Sequence, residues 1–382
     1  MTRRRCIGAS VALAALAALG GGCGNRYFVD WPASYRHELL HVGDAPTAPG
    51  ARALALAEAG RADAYGAEAA FGNPAALARL ERPAAAAGVG WRERGLSVQP
   101  AGETTLAQSF VSSFAPAYAS GAYPIIPRRL ALGGAIWTPH DYAYRLGGSG
   151  AGDFESRGAL YAAGPAAAAA FGPLAVGVGA DFLWGSERIT SSLAAYRDVD
   201  LTARGYDCRA SLTAAGDVKP AWRLAVAAFG RKGAALDFTG TSSYDLHLAP
   251  AAGAAVSVRA HSVNVHVDYV YYFYEAMTTS DAQLRQIIDT VVADVGWAMA
   301  GAEYVTAGGA VARAGFGYRP WFIRYGHTHP VSLRYGFGGG WPVWARHGRL
   351  DAALGYGRRG ALDDDGYVAD ELELSCGFNY FW

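Results

Sequence analysis

From Leu174 onward every second residue is apolar: Leu174, Val176, Val178, Ala180, Phe182 and Trp184 share one parity, and Ala175, Gly177, Gly179, Asp181 and Leu183 take the other. Successive Cβ atoms of a strand point to opposite sides, so a period of two places each set on one face of an extended chain. The pattern recurs. Val263, Val265, Val267, Tyr269, Tyr271 and Phe273 oppose Ser262, Asn264, His266 and Asp268. Ala310, Ala312, Ala314, Phe316 and Tyr318 oppose Arg313, Gly315, Gly317 and Arg319, and Leu350, Ala352, Leu354 and Tyr356 oppose Arg349 and Asp351. The second face carries arginines and aspartates, which predicts that it is wet. A soluble sandwich would bury the apolar rows, but here they are the whole apolar inventory and end in aromatics at strand tips, as at a lipid interface. A sealed ring with hydrocarbon outside and water inside satisfies every backbone donor and acceptor and leaves no edge. The predicted fold class is all-β, a transmembrane antiparallel β-barrel.

Length alone would make the uncharged run from Gly158 to Ala180 a spanning helix, but Pro165, Pro173 and its glycines argue for two strands joined at Phe171-Gly172-Pro173. Fourteen strand candidates follow, at about 86–98, 104–117, 128–138, 157–170, 173–185, 201–214, 220–231, 233–241 continued at 249–259, 262–275, 296–306, 310–320, 331–341, 346–358 and 370–382. Short connections (Phe171-Gly172-Pro173, Gly216 to Pro220, Ala260-His261, Ala307-Gly308-Gly309, Pro342 to Arg346) alternate with long ones at 139–156, 186–200, 232–248, 276–295, 319–330 and 359–369. Periplasmic turns and extracellular loops alternate in this way, and an even strand count puts both ends of the barrel, residues 83–382, in the periplasm.

The termini place the chain. Arg3, Arg4 and Arg5 precede an uncharged stretch from Cys6 to Gly22, so residues 1–22 read as a secretory signal. Gly20-Gly21-Gly22 before Cys23 loosely resembles a lipoprotein box with Gly where Leu is expected, so lipidation at Cys23 and plain cleavage nearby both stand. Residues 23–50 form a periplasmic extension. At the other end Leu372, Leu374, Cys376, Phe378, Tyr380 and Trp382 share one parity and the chain stops on the aromatic. This resembles the last strand of bacterial outer-membrane barrels, and the resemblance implies that Phe378, Tyr380 and Trp382 signal to the barrel assembly machinery.

Composition narrows the function. Charged residues are 17% of the chain, 33 of each sign, and Gly numbers 50. With zero net charge and no basic run beyond residue 5, there is no footprint for nucleic acid. Past Cys6 the cysteines are Cys23, Cys208 and Cys376, without metal-site spacing. The glycine run at 147–152 lacks the Lys-Ser/Thr of a phosphate loop. His327 with His329 lacks a third ligand, and Asp363-Asp364-Asp365 lacks the ligand spacing of a calcium loop. His247 with Asp245 and His266 with Asp268 have no serine assigned to them by any spacing rule, and no GxSxG is present. The reading expects no enzyme, no catalytic residue, no metal and no cofactor.

Residues 51–82 differ from the rest, being rich in Ala and Gly without alternation. Asn73 as N-cap and Pro74 at the first helical position predict a short helix through Leu80. In this place the run AGRADAYGAEAAFGNPAALARL (59–80) looks like the N-terminal hatch of the FadL/TodX family of outer-membrane transporters for long-chain fatty acids and aromatic hydrocarbons. LALGGAIWTP (130–139), GAEY (301–304) and RAGFGY (313–318) are similar to its third and late strands. Ala76 departs from the family's Gly, and the extension before the hatch is foreign to it.

The resemblance implies a passive outer-membrane channel for hydrophobic molecules, gated by a hatch set by Asn73, Pro74, Ala75 and Leu77, with capture at the extracellular mouth and exit sideways into the bilayer. The alternative is a barrel acting as partner or carrier for exported proteins or lipoproteins. Fourteen strands enclose more space than wall side chains fill, so the bore is a channel, a cavity or plugged. Ser280-Asp281-Ala282-Gln283 matches a capping box. The helix it predicts carries Leu284, Ile287, Ile288, Val291 and Val292 as either a capture surface or a helix packed on the rim. Inward Arg313 and Arg334 could attract a carboxylate or line a polar lumen. Expected partners are a hydrophobic small molecule, outer-membrane lipid with lipopolysaccharide, and the assembly machinery, in the outer membrane of a Gram-negative bacterium.

Overall fold

A computed structural model of the chain describes residues 49–98, 107–148, 152–191, 198–322, 331–344, 347–360 and 367–382. The signal, Cys23 and extension readings therefore lie outside the described residues, as do His327, His329 and Asp363 to Asp365. The described chain opens with helix α1 (Ala51–Ala55), a 3-10 turn (Arg61–Asp63), helix α2 (Ala69–Gly72) and a 3-10 turn (Pro74–Arg79). Strands follow: β1 (Ala84–Val98), β2 (Ala107–Ile126), β3 (Leu130–Asp141), β4 (Tyr144–Gly148), β5 (Gly152–Phe171), β6 (Leu174–Ser191), β7 (Val199–Lys219), β8 (Trp222–Arg231), β9 (Ala235–Gly240), β10 (Tyr244–His247), β11 (Ala251–Ala260) and β12 (Val263–Tyr272). After a 3-10 turn (Tyr274–Ala276) come β13 (Thr278–Thr279), helix α3 (Ala282–Val291), β14 (Val295–Val305), β15 (Val311–Pro320), β16 (Val331–Val343), β17 (Gly348–Gly360) and β18 (Tyr367–Phe381).

These segments make fourteen staves of one closed antiparallel barrel. β3 and β4 both pair with β5, and β8 and β9 both pair with β7. β10 and β11 pair with β9 and β8 in turn. The ring closes where β1 meets β18, from Ala84 opposite Phe381 to Val98 opposite Tyr367. The short turns share one end of the barrel. Each carries a left-handed residue: Arg128, Gly172, Ala221, His261, Gly309 or Trp344.

The alternation sorts as its parity demands. On β6 Val178 is 59% exposed and Leu183 2%; on β12 Val267 is 54% exposed while His266 and Asp268 are sealed. In a closed ring whose inside is filled, exposed Leu, Val and Phe can only face hydrocarbon, so the wall is that of an outer-membrane β-barrel. Aromatic rings mark both interfaces. At the turn end Trp344, Phe378, Tyr380 and Trp382 form a chain of neighbouring rings with centroids 4.9 to 6.3 Å apart. Toward the other end Tyr161, Trp184 and Phe182 stack at 6.0 and 5.8 Å.

Three expectations need correction. Residues 233–241 do not continue into 249–259; β9 instead extends the line of β8 along β7, and the chain doubles back through β10. Gly233, at φ 90°, kinks the stave without detaching it, and parity cannot separate a kinked strand from two strands. The turn expected at Gly216 to Pro220 lies at Pro220-Ala221, since β7 runs on to Lys219. The inward face is also not wet throughout: Leu160, Leu183, Leu201, Val270, Tyr272 and Trp297 point inward and are buried.

One seam of the wall is incomplete. β2 pairs with β3 only from Tyr118 opposite Trp137 to Ile126 opposite Leu130. The β3–β5 ladder shifts register between Trp137 and His140, around Thr138-Pro139. Pro139 has no N–H to give to a ladder, so the pairing is interrupted there although β3 itself runs on to Asp141.

Candidate functional site: the inner segment and the apolar core of the bore

Residues 51–80 lie inside the ring, and the wall is cut to receive them. A methyl group on Gly315 or Gly336 would overlap the backbone of Leu54 to Ala57, and one on Gly177 would overlap Pro74 and Ala75. Glycine is needed at these inward positions because backbone meets backbone.

Ion pairs fasten the first half of the segment. Arg52 grips Glu303 of β14 with two hydrogen bonds, 3.0 and 2.9 Å. Glu303 also accepts from Arg313 Nε at 2.8 Å and lies 3.1 Å from His266 Nε2. Arg313 donates to Asp351 at 2.5 Å and to the Tyr65 hydroxyl at 3.3 Å. The Tyr65 ring lies beneath two guanidiniums, those of Arg52 and Arg349, each 4.6 Å from its centroid. Glu58 meets Arg319 at 3.0 Å, Arg334 at 3.2 Å and Arg61 at 3.7 Å. Burial opposes ionisation of Glu58, but the charges of Arg319, Arg334 and Arg61 outweigh it and hold its pKa below the ordinary 4.5. Asp268 accepts from the backbone N–H groups of Gly60 and Arg61 at 2.9 and 3.1 Å. The two arginines singled out from sequence are therefore engaged: Arg313 by Glu303 and Asp351, and Arg334 by Glu58 and by Glu373 at 2.6 Å.

The second half is fastened by hydrogen bonds, among them Arg209 Nε to Ala70 O at 3.0 Å and the Tyr118 hydroxyl to Glu68 Oε1 at 2.5 Å. Asn73 does not cap its helix with its side chain; its amide donates to Arg61 O at 2.7 Å and to Thr213 Oγ1 at 3.0 Å. The N–H of Ala75 donates to Ser211 Oγ at 2.9 Å. Pro74 to Arg79 form a 3-10 turn rather than an α-helix. Two wall hydroxyls, Ser211 and Thr213, thus hold the strand-like entry and the first free N–H of this turn. Leu77 is wholly buried among alanines of the wall and of the segment.

Above the segment the bore is filled by an apolar core. Leu56 and Ala59 form its floor, and Tyr272 with Trp297 (4.6 Å), Phe238 with Tyr244 (4.9 Å) and Tyr274 with Phe322 (4.5 Å) pack within it. Arg319 stacks 4.7 Å over Trp297 at the boundary between the charged floor and the apolar core. Helix α3 covers the core with Leu284, Ile288 and Val292, all buried. The side chains of Ile287 and Val291 lie outside the described ones. The α3 cap is Asp281, whose Oδ1 accepts from Leu284 N–H at 2.8 Å, whereas Ser280 Oγ accepts from Asp245 N–H at 2.8 Å. The capping-box expectation is thus displaced by one residue, because Ser280 is drawn to the strand end beside it.

The bore also aligns Ser257 Oγ, 2.7 Å from His266 Nδ1, with His266 Nε2 facing Glu303. A carboxylate accepts only, so His266 donates to Glu303 from Nε2. The serine missing from the sequence pairing of His266 with Asp268 sits on the neighbouring strand. All three side chains are buried beneath Gly60 and Arg52, and two guanidiniums occupy the carboxylate, so the row acts as part of the clamp. Arg52, Glu58, Tyr65, Glu303 and Asp351 were not singled out from sequence. Glu303 and Asp351 stood as charges at inward parities, whereas Arg52, Glu58 and Tyr65 lie in a segment without alternation, where no local signal marks them.

No protein-family model matches the sequence, and no curated protein sequence matches it. The fold has solved counterparts. A FadL homologue of Pseudomonas aeruginosa superposes with a TM-score of 0.63 at 12% identity, over 88% of this chain and 99% of its own. The toluene transporter TodX of Pseudomonas putida gives 0.63 at 15%, over 89% and 99%. The monoaromatic hydrocarbon channel CymD gives 0.59 at 16%, over 88% and 98%. The chain is an outer-membrane β-barrel with the FadL/TodX fold. The resemblance first carried by four short stretches therefore extends over nearly the whole barrel.

Proposed function

We propose that the protein is a channel for passive uptake of hydrophobic molecules, long-chain fatty acids or aromatic hydrocarbons, with residues 51–80 as its hatch. The observation that carries this reading is an aromatic core in the bore, stacked on a segment held by ion pairs and hydrogen bonds and not by covalent or continuous strand pairing. A hydrophobic solute gains about 0.8 kcal/mol per CH₂ on leaving water, so an apolar bore takes it up without an energy source once these side chains part. The toluene and hydrocarbon channels sharing the fold support the same substrate class. In this reading α3 lifts to admit the solute, the contacts of Asn73 and Ala75 give way, and the solute leaves through the incomplete seam beside Pro139. Engaged by acids, Arg313 and Arg334 serve to hold the hatch and not to lure a carboxylate.

The test is uptake of radiolabelled toluene and oleate by cells carrying or lacking the gene. Loss of the gene lowers uptake of at least one of them, and replacing Asn73-Pro74-Ala75 by Gly-Ala-Gly alters the rate while the barrel still assembles. Unchanged uptake in the deletion strain overturns the transport reading.

A further inference from the structure

The lipid-facing wall is not uniformly filled. Leu132 on β3, Ala167 on β5, Val178 on β6, Ala210 on β7 and Gly230 on β8 are successive cross-strand partners along one rung. Three of these five outward positions end at or before Cβ. The adjoining pair, Ala180 opposite Cys208, is small too. The rungs beyond carry bulk: Phe182 opposite Tyr206 on one side, Val176 opposite Leu212 on the other, all exposed. The result is a groove of about 720 Å³ across five staves. At strand spacing it runs about 19 Å.

One end of the groove is lined by Lys232. It is exposed and is one of only two lysines in the sequence. It directly follows β8, whose first residue, Trp222, stands at the turn end. Ten residues of tilted strand separate the two by roughly 25 Å along the barrel axis, the height of the apolar band. The ammonium thus sits at the far interface, while the groove it terminates lies within hydrocarbon.

We propose that this groove is a binding site for an anionic, phosphate-bearing membrane lipid, an acyl chain lying along the rung and the phosphate held by Lys232. It rests on the barrel's placement in a membrane and not on what the bore transports. A cation at one end and small apolar side chains along the rest match the two halves of such a lipid, whereas a second copy of the chain would offer this end an equally positive Lys232.

Cys208 lies in the groove and Cys376 on the outer face of β18, both free and exposed. Full-length protein in mild detergent is treated with N-ethylmaleimide, and modification at each cysteine is followed by peptide mass spectrometry. Adding dioleoylphosphatidylglycerol slows Cys208 relative to Cys376, whereas the same fraction of dioleoylphosphatidylcholine protects Cys208 about fivefold less, the factor expected of one lysine attraction. Lys232→Gln abolishes that preference. Equal protection by both lipids, no protection, or protection surviving in Lys232→Gln overturns the proposal. So does protection that needs no lipid and rises with protein concentration, which would mark the groove as a contact between copies. Should Lys232→Gln fail to assemble, the comparison of the two lipids on the natural protein decides.

Discussion

Glu303 couples the inner segment to the charges of the wall, since one carboxylate meets Arg52 of the segment and Arg313 and His266 of the neighbouring strands. Removing one partner of a buried ion pair typically costs about 3–5 kcal/mol, because the abandoned charge remains buried. Glu303→Gln leaves the barrel's hydrogen-bond ladder intact but takes the carboxylate from Arg52 and leaves Arg313 to Asp351 alone. The expected outcome is a frequently displaced segment, seen in planar bilayers as bursts of conductance that the natural protein lacks. Glu58 sets the acid limit. Its pKa is lower in place than free, so its contribution is complete above the ordinary 4.5 and is lost only as pH falls through the lowered value. Conductance should therefore stay quiet from pH 7 to 5 and begin only in more acidic solution. Release already at pH 6 would show that another group governs docking.

At the scale of elements, the wall glycines are the counterpart of the segment's backbone. Gly177→Leu puts a side chain where Pro74 and Ala75 lie, so the turn Pro74–Arg79 should lose protection in amide hydrogen exchange while the strand amides of β6 keep theirs. The strands themselves were legible from alternation, since each residue's preference for lipid or interior is expressed two positions apart. Their joints were less so. β8 and β9 form one kinked stave and β10 a return, which only the pairing of both with β7 reveals. The predicted helix after Asn73 became a tighter turn because that side chain bonds Thr213 and the Arg61 carbonyl instead of its own helix end.

For the whole molecule, closure depends on the last strand. Its final residues pair with the first strand and stack on Trp344. Deleting Phe381 and Trp382 removes the last rung of that seam and the final ring of the aromatic chain. The amount of heat-modifiable protein in the outer membrane should fall severalfold, measured as the band that migrates faster unboiled than boiled. An undiminished band would mean that Phe378 and Tyr380 suffice for assembly.

From the sequence alone came the barrel, its strand count, and the sides facing lipid and interior. These are readable because parity and glycine turns are local and each residue expresses them independently. Only the tertiary structure decided which polar side chains meet: Arg52 and Glu303 are 251 positions apart, and Asn73 and Thr213 are 140. It also decided that the upper bore is aromatic and the lower bore ionic. Inward residues of many staves share one space only after the ring closes, and no window of sequence shows which of them will stand at the same height.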